Sequence, residues 1–592
     1  MPSVLQQERS VQRRPASAET RHSYEPLIFK LTIIVLAGLF VYAPAFHGDW
    51  LWDDDQEITA NPLLRSFGGL VEIWTGGVGA DYFPLKTTFQ WILFQFAGPT
   101  PTVYHLANVI LHIGNALLVW RLFDRLRIRY AWLGGLLFCV HPVIVESVAW
   151  ISELKNTLSL PFLLGSMLAF IRFDESRRPA DYLCAALLYL AAILCKTSVV
   201  MLPFTLLLYC WWKRGGLRWR DLWGSAPFFA ISLAMGLITI WFQHGRAIGS
   251  ETILVGGMAS RAATAGMAIF FYLWKCVFPF DLLPIYPRWQ VDPPTLIQFL
   301  PWPLLAVILS WLWTQRKTWG RHALLGLGFF LLNVFPILGF ITMSYMRITW
   351  VADHFIYLPA IGVIGLMTAA AGSCLDRTTG NARIACIAGG TIVMAILTVS
   401  SHRYAGIFAN EEQLWSYTLL RNRDAWQAHS RYGKAMLDAG RNQAGYFHIK
   451  ESARLRPDLA ETRNNFAAVL QAKGELTRAL EEVAEACRLA PKMMIYAMNH
   501  AKILMELKKY EEARKVYSEI LEQAPNNPSL LSNYGVTEYC LGHVDEAIAK
   551  FEEALRIAPD HKEAKINLEA AKKSKQEEVK PSAMEISSPE PE

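Results

Sequence analysis

Apolar positions come in long runs as far as Arg403, and beyond that point charged residues enter every helical turn. Runs without a polar face belong in a bilayer rather than on the surface of a soluble core. Eleven of them approach or reach the ~20 residues that cross about 30 Å of hydrocarbon. They lie at 27–46, 103–123, 131–148, 157–173, 181–194, 199–212, 224–242, 301–313, 322–343, 355–371 and 383–400. Residues 86–96 are half apolar and too short to cross, which predicts a helix lying along the interface. The run 261–277 is ambiguous. If it crossed, Gln315-Arg316-Lys317 would leave the side that holds the other basic loops, so it reads better as a partly inserted helix within a large external loop.

The second half has a different period. Pro457, Pro491, Pro525 and Pro559 are each 34 residues apart. Gly433, Ala467, Ala501 and Gly535 keep that spacing, as do Gly445, Ala479, Ala513 and Ala547. Bulky residues follow at Tyr432, Phe466, His500 and Tyr534, and at Ile449, Val483, Tyr517 and Phe551. Small residues where paired helices touch, and aromatics in the hole between them, are the tetratricopeptide pattern. The fold class is therefore all-α: a polytopic helical bundle of about eleven spans followed by a tetratricopeptide α-solenoid. Its units are a polar N-terminus (1–26, expected disordered), a membrane unit (27–403) and a linker helix (404–425). Repeats follow at 426–459, 460–493, 494–527 and 528–561, then a cap to 573 and an acidic tail (574–592) expected to be disordered. Such an array binds a peptide or partner helix and supplies no chemistry of its own.

Charge adds orientation. Arg121, Arg125, Arg127 and Arg129, then Arg172, Arg177 and Arg178, then Lys213, Arg214, Arg218 and Arg220 alternate with uncharged turns. The positive-inside rule puts these loops and the N-terminus in the cytoplasm and the repeats outside. A net charge of +6 spread over such loops argues for membrane orientation, not nucleic-acid binding. The nine cysteines form neither a CxxC pair nor a metal-ligand spacing.

The candidate chemistry sits on the external side. Asp53, Asp54 and Asp55 follow the first span directly, where adjacent carboxylates suit a general base, a cation site or a polar head group. A solvated acidic loop is the plainer alternative. The segment 141–156 puts His141, Glu146, Glu153 and Lys155 into one external turn, Glu146 being the one an apolar helix end cannot solvate. His105, with Asn108, His112 and Asn115, forms a polar stripe that helix–helix hydrogen bonds explain equally well. Lys196 sits between two short spans and can meet phosphate or snorkel. Asp353-His354 opens a late span and offers another carboxylate–imidazole pair.

The set Trp52-Asp53-Asp54-Asp55, Asn61-Pro62, Tyr104-His105-Leu106, Asn108, His112, His141-Pro142, Glu146-Ser147-Val148-Ala149-Trp150, Cys195-Lys196 and Ala352-Asp353 resembles bacterial relatives of the transmembrane and tetratricopeptide-repeat-containing (TMTC) O-mannosyltransferases. Ile144 and His354 depart from that family's pattern, which has His and Arg there. The resemblance implies a GT-C-like membrane fold in a bacterial inner membrane with periplasmic repeats. It also implies transfer of mannose or another hexose from a polyprenyl-phosphate donor to a hydroxyl, with protein Ser/Thr as the expected acceptor. Asp54 is the first choice of base and Asp53 the second; Glu146 orients substrate or binds metal with them. Lys196, Arg347 and His354 would stabilise the leaving phosphate. Mg²⁺ or Mn²⁺ would suit those oxygen ligands. A non-catalytic, membrane-anchored scaffold for envelope or secretion machinery is the competing reading.

Overall fold

The computed structural model describes residues 25–76, 79, 81–248 and 253–576. Residues 1–24 and 577–592, which include nearly all of both segments expected to be disordered, lie outside the described residues. Among the described residues there are helices and no strands.

Eight helices are long and apolar enough to cross a membrane, and a bent pair, Ala131–Val140 with Pro142–Ala149, makes up to nine. End contacts show that two shorter helices also traverse the bundle. Leu154–Ser176 has 23 residues, a length of about 35 Å, and serves as a ruler. At its start Glu153 meets Lys196, which follows Pro179–Cys195, at 3.5 Å. Near its end Asp174 meets Lys213, in the last turn of Leu202–Arg214, at 2.7 Å. Both short helices therefore run between those two levels. With Glu25–Tyr42, Pro101–Arg125, Trp219–Phe242, Pro301–Thr314, Gly320–Val334, Ala360–Arg377 and Gly380–Gly406, the traverses come to the expected eleven. Pro101, Pro179 and Pro301 open their helices, where a missing N–H costs nothing.

Two local departures matter. The run 131–148 is not one straight helix: it breaks at His141 with a bend of 56°. Pro142 has no N–H to continue the ladder, and His141 Nδ1 accepts the freed Val143 N–H at 3.3 Å. Met258–Val277 keeps both ends at the acidic face. Arg261 donates to the Phe340 carbonyl at 2.9 Å, and His141 Nε2 meets the Cys276 carbonyl at 3.0 Å. A helix whose two ends lie at one face does not cross the bundle.

Beyond the bundle, helix pairs begin at Trp426, Ala460, Met494 and Pro528, and a final helix at Lys562, all 34 residues apart. The small residues are there for contact: a Cβ on Gly433 would come within 2.8 Å of Ile449, and one on Gly535 within 2.7 Å of Phe551. The linker helix Glu411–Arg421 reaches back to the acidic loop, where Glu411 accepts the Trp52 N–H at 2.8 Å. Arg456 donates to the Arg347 carbonyl at 3.0 Å, fixing the first repeat to the same face. Repeats and acidic loop thus lie at the same end of the helix bundle. In a cysteine-free background, Asp55→Cys and Ser529→Cys will react with an impermeant thiol reagent from the same side, and Arg127→Cys only from the other. Opposite labelling of Asp55→Cys and Ser529→Cys would break this architecture.

Candidate active site

Three stretches far apart in sequence meet at the acidic end: the loop after the first traverse, the broken helix after His141, and the short turn Asp353–Ile356. Their backbones are joined by carboxylates. Asp54, the expected first choice of base, is fully buried with both oxygens engaged. Oδ2 accepts from Leu51 N–H at 2.9 Å; Oδ1 accepts from Ser152 N–H at 2.8 Å and from the Ser152 hydroxyl. Burial pushes its carboxyl well up, against those three donors. Asp54 clamps the loop to the broken helix.

Asp53 is different. It is half-buried, and its carboxylate makes no hydrogen bond or ion pair among the described residues. Burial raises it to about 6, opposed by the cations Lys155 and Arg431, the latter from the first repeat helix. Its direction is set by Trp52, which has φ of 51°, a conformation that costs a bulky residue about 1–3 kcal/mol unless its surroundings enforce it. They do: Trp52 stacks on Trp150 at 4.8 Å, meets Trp415 edge-on at 5.0 Å, and is held by Glu411. Asp55 is exposed, and its carboxylate accepts from the Thr59 hydroxyl at 3.2 Å.

Glu153 is the hub of the charged centre. Its side chain receives Lys155 at 2.9 Å, Lys196 at 3.5 Å and the Asn156 amide at 2.5 Å, and Lys196 also donates to Asn156 at 2.6 Å. Burial lowers Lys196 to about 8, with Glu153 resisting. Glu146 accepts the His354 N–H at 3.2 Å and lies 3.0 Å from His354 Nδ1, so it caps the turn that carries Asp353. Burial lowers His354 to about 3, which leaves the imidazole neutral near pH 7. Asp353, raised by burial to about 7, accepts from Tyr286 at 2.9 Å and Tyr404 at 3.4 Å.

Three other expected residues stand apart. His141 spends both ring nitrogens on Val143 and Cys276 as a bend cap. His105 is buried beneath Gly48, where a Cβ would sit 2.7 Å from its Nε2. Arg347 faces the repeats, 3.8 Å from Glu461. The proposed metal set does not converge, since Asp54 is occupied by Ser152 and Leu51 and Glu146 by His354. Among the described residues no three His, Cys, Asp or Glu are grouped to hold an ion.

Several members were missed. Glu57 pairs with Lys86 at 3.1 Å and Gln90 at 3.1 Å, tying the interfacial helix Pro84–Ala97 to the loop. Ser152 and Glu411 carry no motif-level signal. The recurrence of Trp at 52, 150 and 415 was the available clue to an aromatic cage.

Comparison with known proteins agrees with both halves. A family model described as dolichyl-phosphate-mannose-protein mannosyltransferase matches residues 83–242, and one for tetratricopeptide repeats matches 493–560. The first range contains Glu146, Glu153, Lys155 and Lys196 but not Asp53. Human protein O-mannosyl-transferase TMTC4 is 23% identical over 495 residues, 71% of this chain and 65% of its own. The mouse TMTC4 gives 23% over 499 residues with the same shares. Drosophila melanogaster Tmtc1 is 30% identical over 186 residues, 29% of this chain and 21% of its own. The chain thus spans a little under two thirds of the length of the mammalian relatives. Among solved structures, the TPR protein YrrB is 20% identical, covering 31% of this chain and 91% of its own, with a TM-score of 0.25.

Proposed function

We propose that this chain, a TMTC-like relative of the GT-C mannosyltransferases, moves a hexose from a polyprenyl-phosphate donor to a hydroxyl at the acidic face. The observation that carries the reading is the contrast within the acidic triad. Asp54 is consumed as a clamp, while Asp53 beside it is left unpaired, half-open and held in direction by a strained neighbour. A scaffold has no use for that arrangement; a general base needs it.

In the reaction, Asp53 takes the proton of the acceptor hydroxyl as its oxygen attacks the anomeric carbon. The bond from that carbon to the phosphate oxygen breaks, its electron pair leaves with the polyprenyl phosphate, and the anomeric configuration inverts. The displacement is a single step, in which no carboxylate bonds to the sugar. Charge building on the phosphate calls for cations, and the neutral His354 and the outward-facing Arg347 do not supply them. Lys155 and Lys196, both held by Glu153, do. No step is assigned to a metal, because the three expected ligands do not converge. The repeats, fixed to the same face, would present a protein hydroxyl to the centre.

This assignment has a pH signature. Asp53 must be ionised, so transfer is lost as pH falls through about 6. Lys196 must be charged, so transfer is lost again as pH rises through about 8. A bell-shaped kcat/KM profile with those limbs is expected, measured with a radiolabelled polyprenyl-phosphate mannose and a Ser/Thr peptide. Lys196→Arg should move only the alkaline limb upward; a flat profile between pH 5 and 9 would remove Asp53 from the role.

A further inference from the structure

The end of the bundle away from the acidic centre contains a cavity of about 1130 Å³. It opens between the helices Pro101–Arg125, Leu154–Ser176, Leu202–Arg214, Gly320–Val334 and Ala360–Arg377. Its depth is apolar, walled by Leu122, Met167, Leu206 and Phe329. Close glycine packing shapes one wall, since a Cβ on Gly362 would lie 2.4 Å from the Gly326 carbonyl. The rim is net basic, with three arginines against one carboxylate, Asp376. Arg127, Arg129 and Arg377 are exposed there, and only Arg129 is neutralised, by Asp376. Arg127 and Arg377 make no ion pair among the described residues.

We infer that this cavity holds one anionic glycerophospholipid, acyl chain inside and phosphate on Arg127 and Arg377. The volume exceeds the roughly 300–1,000 Å³ of ordinary small-molecule sites, and an apolar depth with a basic rim between membrane helices matches an anionic headgroup with its tail. A free anion would leave the apolar depth unused, and a zwitterionic lipid would bring its own ammonium beside the two arginines, cancelling the attraction of its phosphate. The donor's own phosphate belongs at the acidic end, separated by the 25 residues of Pro101–Arg125, about 37 Å. The site is therefore additional to the transfer centre, and its occupancy does not depend on transfer.

The test is native mass spectrometry of the full-length protein in detergent, titrated separately with phosphatidylglycerol and phosphatidylcholine. One tightly held phosphatidylglycerol is expected, with weaker phosphatidylcholine. Arg127→Gln with Arg377→Gln, both exposed, should weaken phosphatidylglycerol roughly thirtyfold and phosphatidylcholine much less, two surface cations being removed. Ala369→Phe, which fills the cavity from one wall, should weaken both lipids. Equal binding of the two lipids by the unaltered protein, or an unchanged preference in the arginine variant, overturns the proposal. So does full lipid binding by a normally folded Ala369→Phe, which would put the lipid on the outer belt.

Discussion

Asp53→Asn will lower turnover by about 10²–10⁴-fold, the usual contribution of a general base, and leave the thermal stability of the detergent-solubilised protein unchanged. Asn is nearly isosteric, and the Asp53 carboxylate has no donor whose loss would be felt among the described residues. The neighbouring substitution separates chemistry from architecture. Asp54→Asn replaces an acceptor of three hydrogen bonds by a group whose amide must face one of the donors. A buried donor left unsatisfied costs about 1–3 kcal/mol, so this variant should melt earlier and lose activity in proportion to the loosened loop. Circular dichroism melts and single-turnover transfer assays on the two variants make the comparison. If Asp54→Asn proves the inactive but stable one, the roles are reversed and the base is the buried acid. If neither changes transfer, the scaffold reading takes over.

The repeats could be read to the residue because a 34-residue period constrains every fourth or fifth position at once, so Gly433 and Gly535 identify themselves. The traverses were nearly as plain, since apolar breadth is a property of composition. What hydropathy conceals is a bend: 131–148 scans as one run, yet Pro142 and the His141 cap break it and turn Glu146 inward. The candidate site was legible as a set of residue types and not as a set of roles. Asp53 and Asp54 are chemically identical neighbours, and only the Ser152 donors, 98 residues on, make one a clamp. Arg347 was expected at phosphate from the family resemblance, and its 3.8 Å neighbour Glu461, in a repeat, is a contact that no local pattern signals. Glu411 is 359 residues from the Trp52 N–H it accepts, a link that no local pattern announces.

The second large effect concerns Glu153. Its carboxylate is 1% exposed and holds two lysines, of which Lys196 is 10% exposed and Lys155 20%. Removing one partner of a buried ion pair leaves a charge without compensation, at a cost of about 3–5 kcal/mol, whereas removing both together is often close to neutral. Glu153→Gln should therefore lower the melting temperature steeply. Lys196→Met should cost less, since Glu153 keeps Lys155. The double variant should recover much of the loss, because Lys155 alone can turn its ammonium toward water. Such a cycle is expected to give a coupling of about 0.5–3 kcal/mol, and additivity within ~0.5 kcal/mol would mean that the two groups do not act as a pair. The double variant also isolates the functional share of the network. With the fold restored and Asp53 untouched, transfer should stay depressed, because the cation that meets the departing phosphate is gone. Recovery of activity along with stability would assign Lys196 to architecture and leave the phosphate to Lys155.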